Sequence, residues 1–189
     1  MYQRSEKVSK ELAKQKPSWN PGEKQGCHCW TLGWYEGELL RRVDPQQRSL
    51  GESLQEGIAE PLGLELYIGL PEKIDDSRIA HIKGINHPLQ LFLQIGEMPF
   101  PLLKEFLKPW SLTMKAMVDP KRHLAHKNFN GRVSRSLELP SGNGIGLVRS
   151  MAKLYSVFAT GGTELGLRHE TLNELVKPAI PPSGSVESP

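Results

Sequence analysis

The chain has 189 residues, enough for one domain with a hydrophobic core and too few for two ordinary domains. It is 38% hydrophobic and 24% charged, as in soluble globular proteins, and its 24 basic and 21 acidic residues give a net charge of +3 without a polybasic run. These values argue against nucleic acid or a membrane as the partner, and no apolar run approaches the ~18 residues that cross a bilayer.

Two helices are predicted in the first quarter of the chain. Residues 5–16 have the periodicity of an amphipathic helix, which Pro17 ends. A second helix is predicted over residues 30–43, where Gly33 and Gly37 each cost about 1 kcal/mol relative to alanine. This cost indicates that a neighbouring element packs closely against the second helix.

A capping box and a strand signal follow. Ser49 and Glu52 have the spacing at which the two side chains cap a helix reciprocally, and the helix they begin is expected to end at Pro61 and Gly63. Residues 64–68 alternate between apolar and polar side chains, which predicts a short strand.

The rest of the chain alternates short helices with loops. The elements expected are a helix over 72–82, a loop over 83–101, two short helices on either side of Pro109, a polar irregular stretch over 121–136, and helices over 147–160 and 168–176. In the helix over 147–160, the side chains expected to face the core are Leu147, Met151, Leu154, Tyr155 and Phe158. Residues 178–189 are rich in proline and serine and predict a disordered tail.

A turn-rich loop presents the tip Cys27-His28-Cys29. A Cys-x-Cys pair excludes a long-range disulfide framework, and the charged amino terminus has no signal-peptide core, so a cytosol-like compartment is the default expectation. The tip would form a zinc site only with distant histidines, which are His81, His87, His123 and His126. Cys-x-Cys does not match the usual ligand spacing, so we predict no metal; a reactive thiol pair is an alternative, and the favoured interpretation is that neither cysteine is reactive.

Two further patterns have a chemical and a structural interpretation. Ser150 and Lys153 have Ser-x-x-Lys spacing, which on a helix brings an amine near a hydroxyl, although this spacing arises often by chance. The glycine-rich run over 142–146 precedes a helix, as phosphate-binding loops do, but it does not match the dinucleotide motif, and a simple turn explains it equally. No cofactor is predicted.

The order of several motifs resembles one known family. The motifs are PGxxxG, TxGW, GELxRRV, AEPLGLELYIGLP and LPSGNGIGLVRSMAKLY. Together they resemble the β-lactamase-related serine hydrolases, a superfamily of class C β-lactamases, DD-peptidases and esterases that includes animal β-lactamase-like proteins. The resemblance implies an α+β fold, present here mainly as its helical region, mostly α with short strands, with residues 1–177 as a partial domain incomplete at both ends.

The resemblance also implies a chemistry that this chain does not fully match. Family members transfer acyl groups through the serine of Ser-x-x-Lys, assisted by a tyrosine and by a Lys-Thr-Gly or His-x-Gly strand. Cys27 stands at the position of the tyrosine and Cys29 at the second position of that motif, the nucleophile is expected farther upstream than this chain reaches, and neither strand motif occurs. Ser150 and Lys153 fall in the stretch that resembles a later family helix.

These departures predict a catalytically inactive, β-lactamase-like protein. One alternative is a binding or regulatory module that associates with a full-length relative or with itself. Another alternative is that the chain is part of an active serine hydrolase that works through an acyl-enzyme.

Overall fold

The structure is a computed structural model that describes residues 2–26, 31–83, 99–108, 110–111, 113, 129–178 and 186–187. Its helices are α1 (Tyr2–Lys14), α2 (Leu32–Val43), α3 (Leu50–Leu54), α4 (Glu60–Leu62), α5 (Phe100–Phe106), α6 (Arg132–Ser136), α7 (Val148–Ala159) and α8 (His169–Leu175). A π-helical turn, Gln55–Ala59, joins α3 to α4, and 3-10 turns lie at Asp76–Arg78 and Thr163–Leu165. Four two-residue strands are β1 (Gln25–Gly26), β2 (Leu66–Tyr67), β3 (Ile145–Gly146) and β4 (Val186–Glu187). The prediction of a mostly helical chain with short strands is confirmed.

The capping box forms as predicted, and the helix ends at Gly63 as expected, but Pro61 does not end it. Ser49 Oγ accepts from the Glu52 amide at 3.2 Å, and the Ser49 amide donates to the Glu52 carboxylate at 2.8 Å. Pro61 lies inside α4, near its start, where the missing N–H of proline is tolerated. Gly63 ends the helix in the left-handed conformation, with φ of 63°.

Two predictions for the middle of the chain are wrong. Residues 72–82 contain only the 3-10 turn as a helical element, and the Pro71 carbonyl accepts from the Ile74 amide at 3.1 Å in a separate turn. The Arg132 guanidinium donates to the carbonyls of Pro71 and Ile74, each at 2.8 Å. Residues 132–136, expected to be irregular, form α6 and so bring Arg132 to those carbonyls. Residues 84–98 and 114–128 lie outside the described part of the chain.

The core lies where α7 packs against the helical segment over 50–62, which begins at the capping box, and against the β2–β3 pair. The two strands are antiparallel, with Leu66 opposite Gly146 and Tyr67 opposite Ile145. The buried cluster consists of Ala59, Leu62, Leu64, Leu66 and Val157, with Ile58, Leu154 and Leu165 packed against it. β1 and β4 form a separate parallel pair.

The predicted core-facing side of α7 is mostly wrong. Leu154 packs against the core as expected, but Leu147, Met151, Tyr155 and Phe158 are exposed. Ser150 and Val157 face inward instead. The helix is apolar around more than one side, so periodicity does not show which side packs against the core.

Candidate active site

Helix α2 directly follows the cysteine tip, and a distant loop holds its first turn. Residues 27–30 lie outside the described part of the chain, so the tip itself is not described. The Gly33 amide donates to Ser141 Oγ at 2.8 Å. A Cβ added at Gly33 would come within 2.6 Å of the Pro140 side chain, so this glycine permits the close packing that its unfavourable helix propensity predicted. A Cβ added at Gly37 would have nothing within 4 Å, so the prediction of close packing is wrong for Gly37.

The loop that reaches α2 is fixed by one buried amide. Asn143 Nδ2 donates to the carbonyls of Ser134 at 3.0 Å and Leu137 at 2.6 Å, and its Oδ1 accepts from the Leu139 amide at 3.0 Å. Asn143 is 6% exposed, so these bonds take the place of the hydrogen bonds that its amide would make with water. The buried amide group therefore does not lack hydrogen-bond partners. The glycine-rich run is therefore a turn built around Asn143.

Gly146, at the end of the same run, is required for strand pairing. A Cβ at Gly146 would lie 2.5 Å from Leu66 Cδ2 and 2.7 Å from the Glu65 carbonyl oxygen. This contact accounts for the glycine without a bound phosphate.

The Glu138 carboxylate, from the same loop, also binds the start of α3. Glu138 accepts from Ser49 Oγ at 2.7 Å and from the Gly51 amide at 3.2 Å. The free amides at a helix start and its partial positive charge both favour a carboxylate there. Residues 138–143 thus connect the start of α2 with the start of α3.

Sequence reasoning missed Glu138, Ser141 and Asn143 as positioning residues. The Ser-Gly-Asn-Gly pattern indicated a turn, but the partners of Glu138 and Ser141 lie far away in the chain, whereas those of Asn143 lie 4, 6 and 9 residues away. Ser141 and Gly33, for example, are 108 residues apart.

Ser150 and Lys153 both bond to the backbone that leads from α4 into β2. Ser150 Oγ accepts from the Glu65 amide at 3.0 Å, and Ser150 is 7% exposed. Lys153 Nζ donates to the Leu62 carbonyl oxygen at 2.6 Å. The two side chains therefore join α7 to the α4–β2 connection.

Two clefts open on the described surface. The larger, about 580 Å³, lies beside β2 and β3, with Tyr67, Ile74 and Phe129 among its apolar walls. Its two arginines are paired, Arg78 with Glu65 at 2.6 Å and Arg135 with Asp76 at 3.0 Å. The smaller cleft, about 440 Å³, lies between α2 and residues 137–140.

A tight ion pair closes the carboxyl end of α2. Asp44 accepts from Arg48 Nε at 2.8 Å, from Arg48 Nη2 at 2.9 Å and from the Arg48 amide at 2.9 Å. Hydrogen bonds from the Arg48 side chain and then from its amide hold the pKa of Asp44 well below its usual range. Asp44 therefore stays ionised near neutral pH, so it cannot donate a proton there as a general acid.

Among the described residues, no three histidine, cysteine, aspartate or glutamate side chains are grouped as metal ligands. Of the histidines considered for a zinc site, His81 is described and exposed, whereas His87, His123 and His126 are not described.

The described helices include none that is long and apolar enough to cross a membrane.

The sequence profile of the beta-lactamase family matches residues 1–183. The chain belongs to the beta-lactamase family. Two solved structures of similar fold are EstA from Arthrobacter nitroguajacolicus Rue61a and a penicillin-binding protein homologue from Caulobacter crescentus. The resemblance inferred from the motifs is thereby confirmed.

The match to each neighbour covers much of this chain and a minor part of the other. EstA is 29% identical with a TM-score of 0.60, and the penicillin-binding protein homologue is 28% identical with a TM-score of 0.56. Each comparison covers 84% of this chain, but only 38% of EstA and 37% of the homologue. A search of curated protein sequences found no significant match. This beta-lactamase family chain thus spans less than two fifths of either neighbour.

Proposed function

We propose that this chain is a β-lactamase-like protein that does not catalyse acyl transfer by itself. The observation that carries the proposal is the bonding of Ser150 and Lys153 to the backbone at Glu65 and Leu62. They form the one Ser-x-x-Lys sequence among the 189 residues, so they are the candidate nucleophile and base. Each has a structural partner instead.

The environment of Ser150 does not suit a nucleophile. An attacking hydroxyl needs a base that takes its proton and an open face through which the substrate approaches. Ser150 is 7% exposed, and its oxygen accepts a hydrogen bond from the Glu65 amide at 3.0 Å. Lys153 Nζ is held by the backbone, since it donates to the Leu62 carbonyl oxygen at 2.6 Å.

Cys27 supports the same conclusion. Family resemblance places it where a tyrosine assists proton transfer, and the shorter cysteine side chain ends in a thiol with a different reach and pKa. A proton route through this position would therefore have to differ from the family route.

Turnover measurements test this proposal. The purified chain is incubated with a chromogenic β-lactam and with a p-nitrophenyl ester, beside a serine β-lactamase as assay control. We expect no hydrolysis above the rate without protein. Hydrolysis that Ser150→Ala abolishes, while the variant stays folded, would overturn the proposal.

A second candidate function is that the chain contributes part of a larger serine hydrolase. The coverage of only 38% and 37% of the two neighbours favours it, because more than half of each neighbour has no counterpart in this sequence. An immunoblot of native tissue tests it. A product much larger than 21.2 kDa supports this candidate, and a single product of that mass rejects it.

A further inference from the structure

The larger of the two clefts has a buried arginine in its wall. Arg135 is 6% exposed and lines the cleft of about 580 Å³ beside β2 and β3. Its Nη1 donates to Asp76 Oδ1 at 3.0 Å, and this bond uses one of the five N–H donors that a guanidinium group carries. Within the described part of the chain, the remaining donors of Arg135 have no partner. Because buried polar groups normally have hydrogen bonds, these donors require an acceptor from elsewhere.

The unpaired donors can be reached from outside. Among the residues that the structure describes, the one fully enclosed side-chain nitrogen or oxygen without a partner is Ser53 Oγ. The unpaired nitrogens of Arg135 are therefore not sealed in the protein, and the cleft is the opening that this side chain lines.

The charges around Arg135 do not balance. Arg132 and Arg135 donate to the same oxygen of Asp76, at 3.2 and 3.0 Å, so one carboxylate faces two guanidinium groups. Arg78, which also lines the cleft, is paired with Glu65 at 2.6 Å. These five side chains together carry one net positive charge, and a single anion beside Arg135 would neutralise it.

An apolar layer packed over this surface would not satisfy Arg135. Apolar side chains offer no acceptor, so such a layer would leave the N–H groups unpaired and take away their access to water. A carboxylate is the best-matched acceptor, because its two oxygens accept two parallel N–H bonds from one guanidinium group.

The walls of the cleft favour a ligand that is apolar apart from this one charge. Tyr67, Ile74 and Phe129 line it, and a pocket of this size with apolar walls and few polar groups is typical of small-molecule sites. A dianion such as phosphate would need a second unpaired cation, whereas Arg78 is already paired. The carboxylate of Glu65 in the wall would repel a second acidic group of the ligand.

We propose that this cleft binds a small monocarboxylic acid, whose carboxylate pairs with Arg135 and whose apolar part packs against Tyr67, Ile74 and Phe129. The ligand is bound and not transformed, so this site is independent of the proposed absence of catalysis. For a ligand with one charged contact and one apolar ring, we expect a dissociation constant on the order of 0.1–1 mM.

Titration of the whole chain with 3-phenylpropanoate, followed by ¹H–¹⁵N NMR, tests the site. Saturable shifts should give a constant in the expected range. The matched amide, 3-phenylpropanamide, has the same shape without the charge and should bind at least about tenfold more weakly. Inorganic phosphate has the charge without the apolar part and should also bind at least about tenfold more weakly.

Replacing the arginine tests its role directly. Arg135→Met removes the guanidinium group and should weaken 3-phenylpropanoate binding by at least about tenfold. Arg149→Met is the matched control, because Arg149 is exposed on α7 and does not line the cleft. It should bind as the wild-type chain does. Circular dichroism melts check that each variant is folded, since Arg135 also bonds to Asp76.

A second pair of variants leaves the arginines in place. Ala80 is exposed and lines the cleft, so a longer side chain is tolerated there. Ala80→Glu adds a negative charge to the wall, and Ala80→Gln adds the same shape without the charge. At low salt, 3-phenylpropanoate should bind Ala80→Glu at least about threefold more weakly than Ala80→Gln.

Four results would each overturn the proposal. They are a wild-type chain that does not bind 3-phenylpropanoate, an amide or phosphate that binds as tightly as the carboxylate, a folded Arg135→Met variant with unchanged affinity, and equal affinities of the two Ala80 variants.

Discussion

Ser150 and Lys153 illustrate how a catalytic spacing serves a structural purpose in this chain. One turn of helix brings both side chains over the α4–β2 connection, where a hydroxyl accepts an amide hydrogen and an ammonium group donates to a carbonyl. These bonds satisfy backbone groups of Glu65 and Leu62 at a place where the chain leaves a helix and enters a strand. The pair therefore stabilises the fold.

Replacing Ser150 tests this structural role. Ser150→Ala leaves the Glu65 amide without its acceptor, and an unsatisfied buried donor costs about 1–3 kcal/mol in the free energy of unfolding. Urea denaturation followed by circular dichroism measures the change. Ser156→Ala, on the exposed side of the same helix, should change stability by less than about 0.5 kcal/mol. Equal effects of the two substitutions would contradict the assignment.

Asn143 should be the least replaceable side chain of the loop over 138–143. Asn143→Asp removes the two N–H donors and turns a carboxylate toward the carbonyls of Ser134 and Leu137, which should cost at least about 3 kcal/mol. Thermal melts compare it with Asn173→Asp, made at an exposed position of α8. A loss for Asn143→Asp no larger than that of the control would show that the amide bonds do not hold the loop.

At the scale of elements, the two glycines of α2 differ in whether a neighbouring segment requires them. Gly33 and Gly37 lie in one helix and have equal propensity, but only Gly33 meets a neighbouring segment closely. Gly33→Ala forces its new Cβ against Pro140 and should destabilise the chain by about 1–3 kcal/mol. Gly37→Ala meets nothing and should stabilise it by up to about 1 kcal/mol. The opposite signs in chemical denaturation check this account, and a gain for both variants would refute it.

The end of α2 makes a prediction about pH. Asp44 has a lowered pKa in the folded chain because Arg48 donates to its carboxylate, whereas in the unfolded chain it titrates near pH ~3.9. Below that pH the unfolded state binds more protons, so the stabilisation is fully present above about pH 5 and is lost as pH falls toward the lowered pKa.

Arg48→Met should remove this pH dependence. Denaturation of the variant and the wild-type chain at about pH 7, 4 and 2.5 should show a stability difference that is largest at neutral pH and shrinks in acid. Asp44→Asn should behave in the same way, since it removes the titrating group itself. A difference that stays constant over this range would show that the pair does not contribute through the Asp44 charge.

Local signals in the sequence predicted the elements whose causes are local. The capping box at Ser49, the glycine that ends its helix at residue 63, and the alternation that produced β2 all act within a few residues. The side of α7 that packs inward was not predictable, because a helix that is apolar on two sides fits the core equally well in either orientation. The carbonyls of Pro71 and Ile74 also bond to Arg132, which lies 61 and 58 residues away from them.

At the scale of the whole molecule, the candidate site was predictable in its motifs and not in its contacts. The motif order identified the beta-lactamase family, which the match over residues 1–183 confirms. The bonds that decide what Ser150 and Ser141 do join segments distant in sequence, whereas the partners of Asn143 lie within nine residues of it. The distant contacts arise from folding as a whole, and neither periodicity nor spacing encodes them.

The molecule also combines a formed core with uncovered apolar helices. α7 is one example, and α2 exposes Leu39 and Val43 in the same way. Polar substitution at these exposed positions should change the free energy of unfolding by no more than about 0.5 kcal/mol.

Covalent labelling tests the central claim, the absence of an acyl-accepting serine, most directly. The chain is incubated with a serine-directed fluorophosphonate, and its intact mass is measured beside a serine β-lactamase treated in the same way. The account predicts an unchanged mass for this chain and full labelling of the control enzyme. A stoichiometric adduct that maps to Ser150 and is absent from the folded Ser150→Ala variant would contradict it.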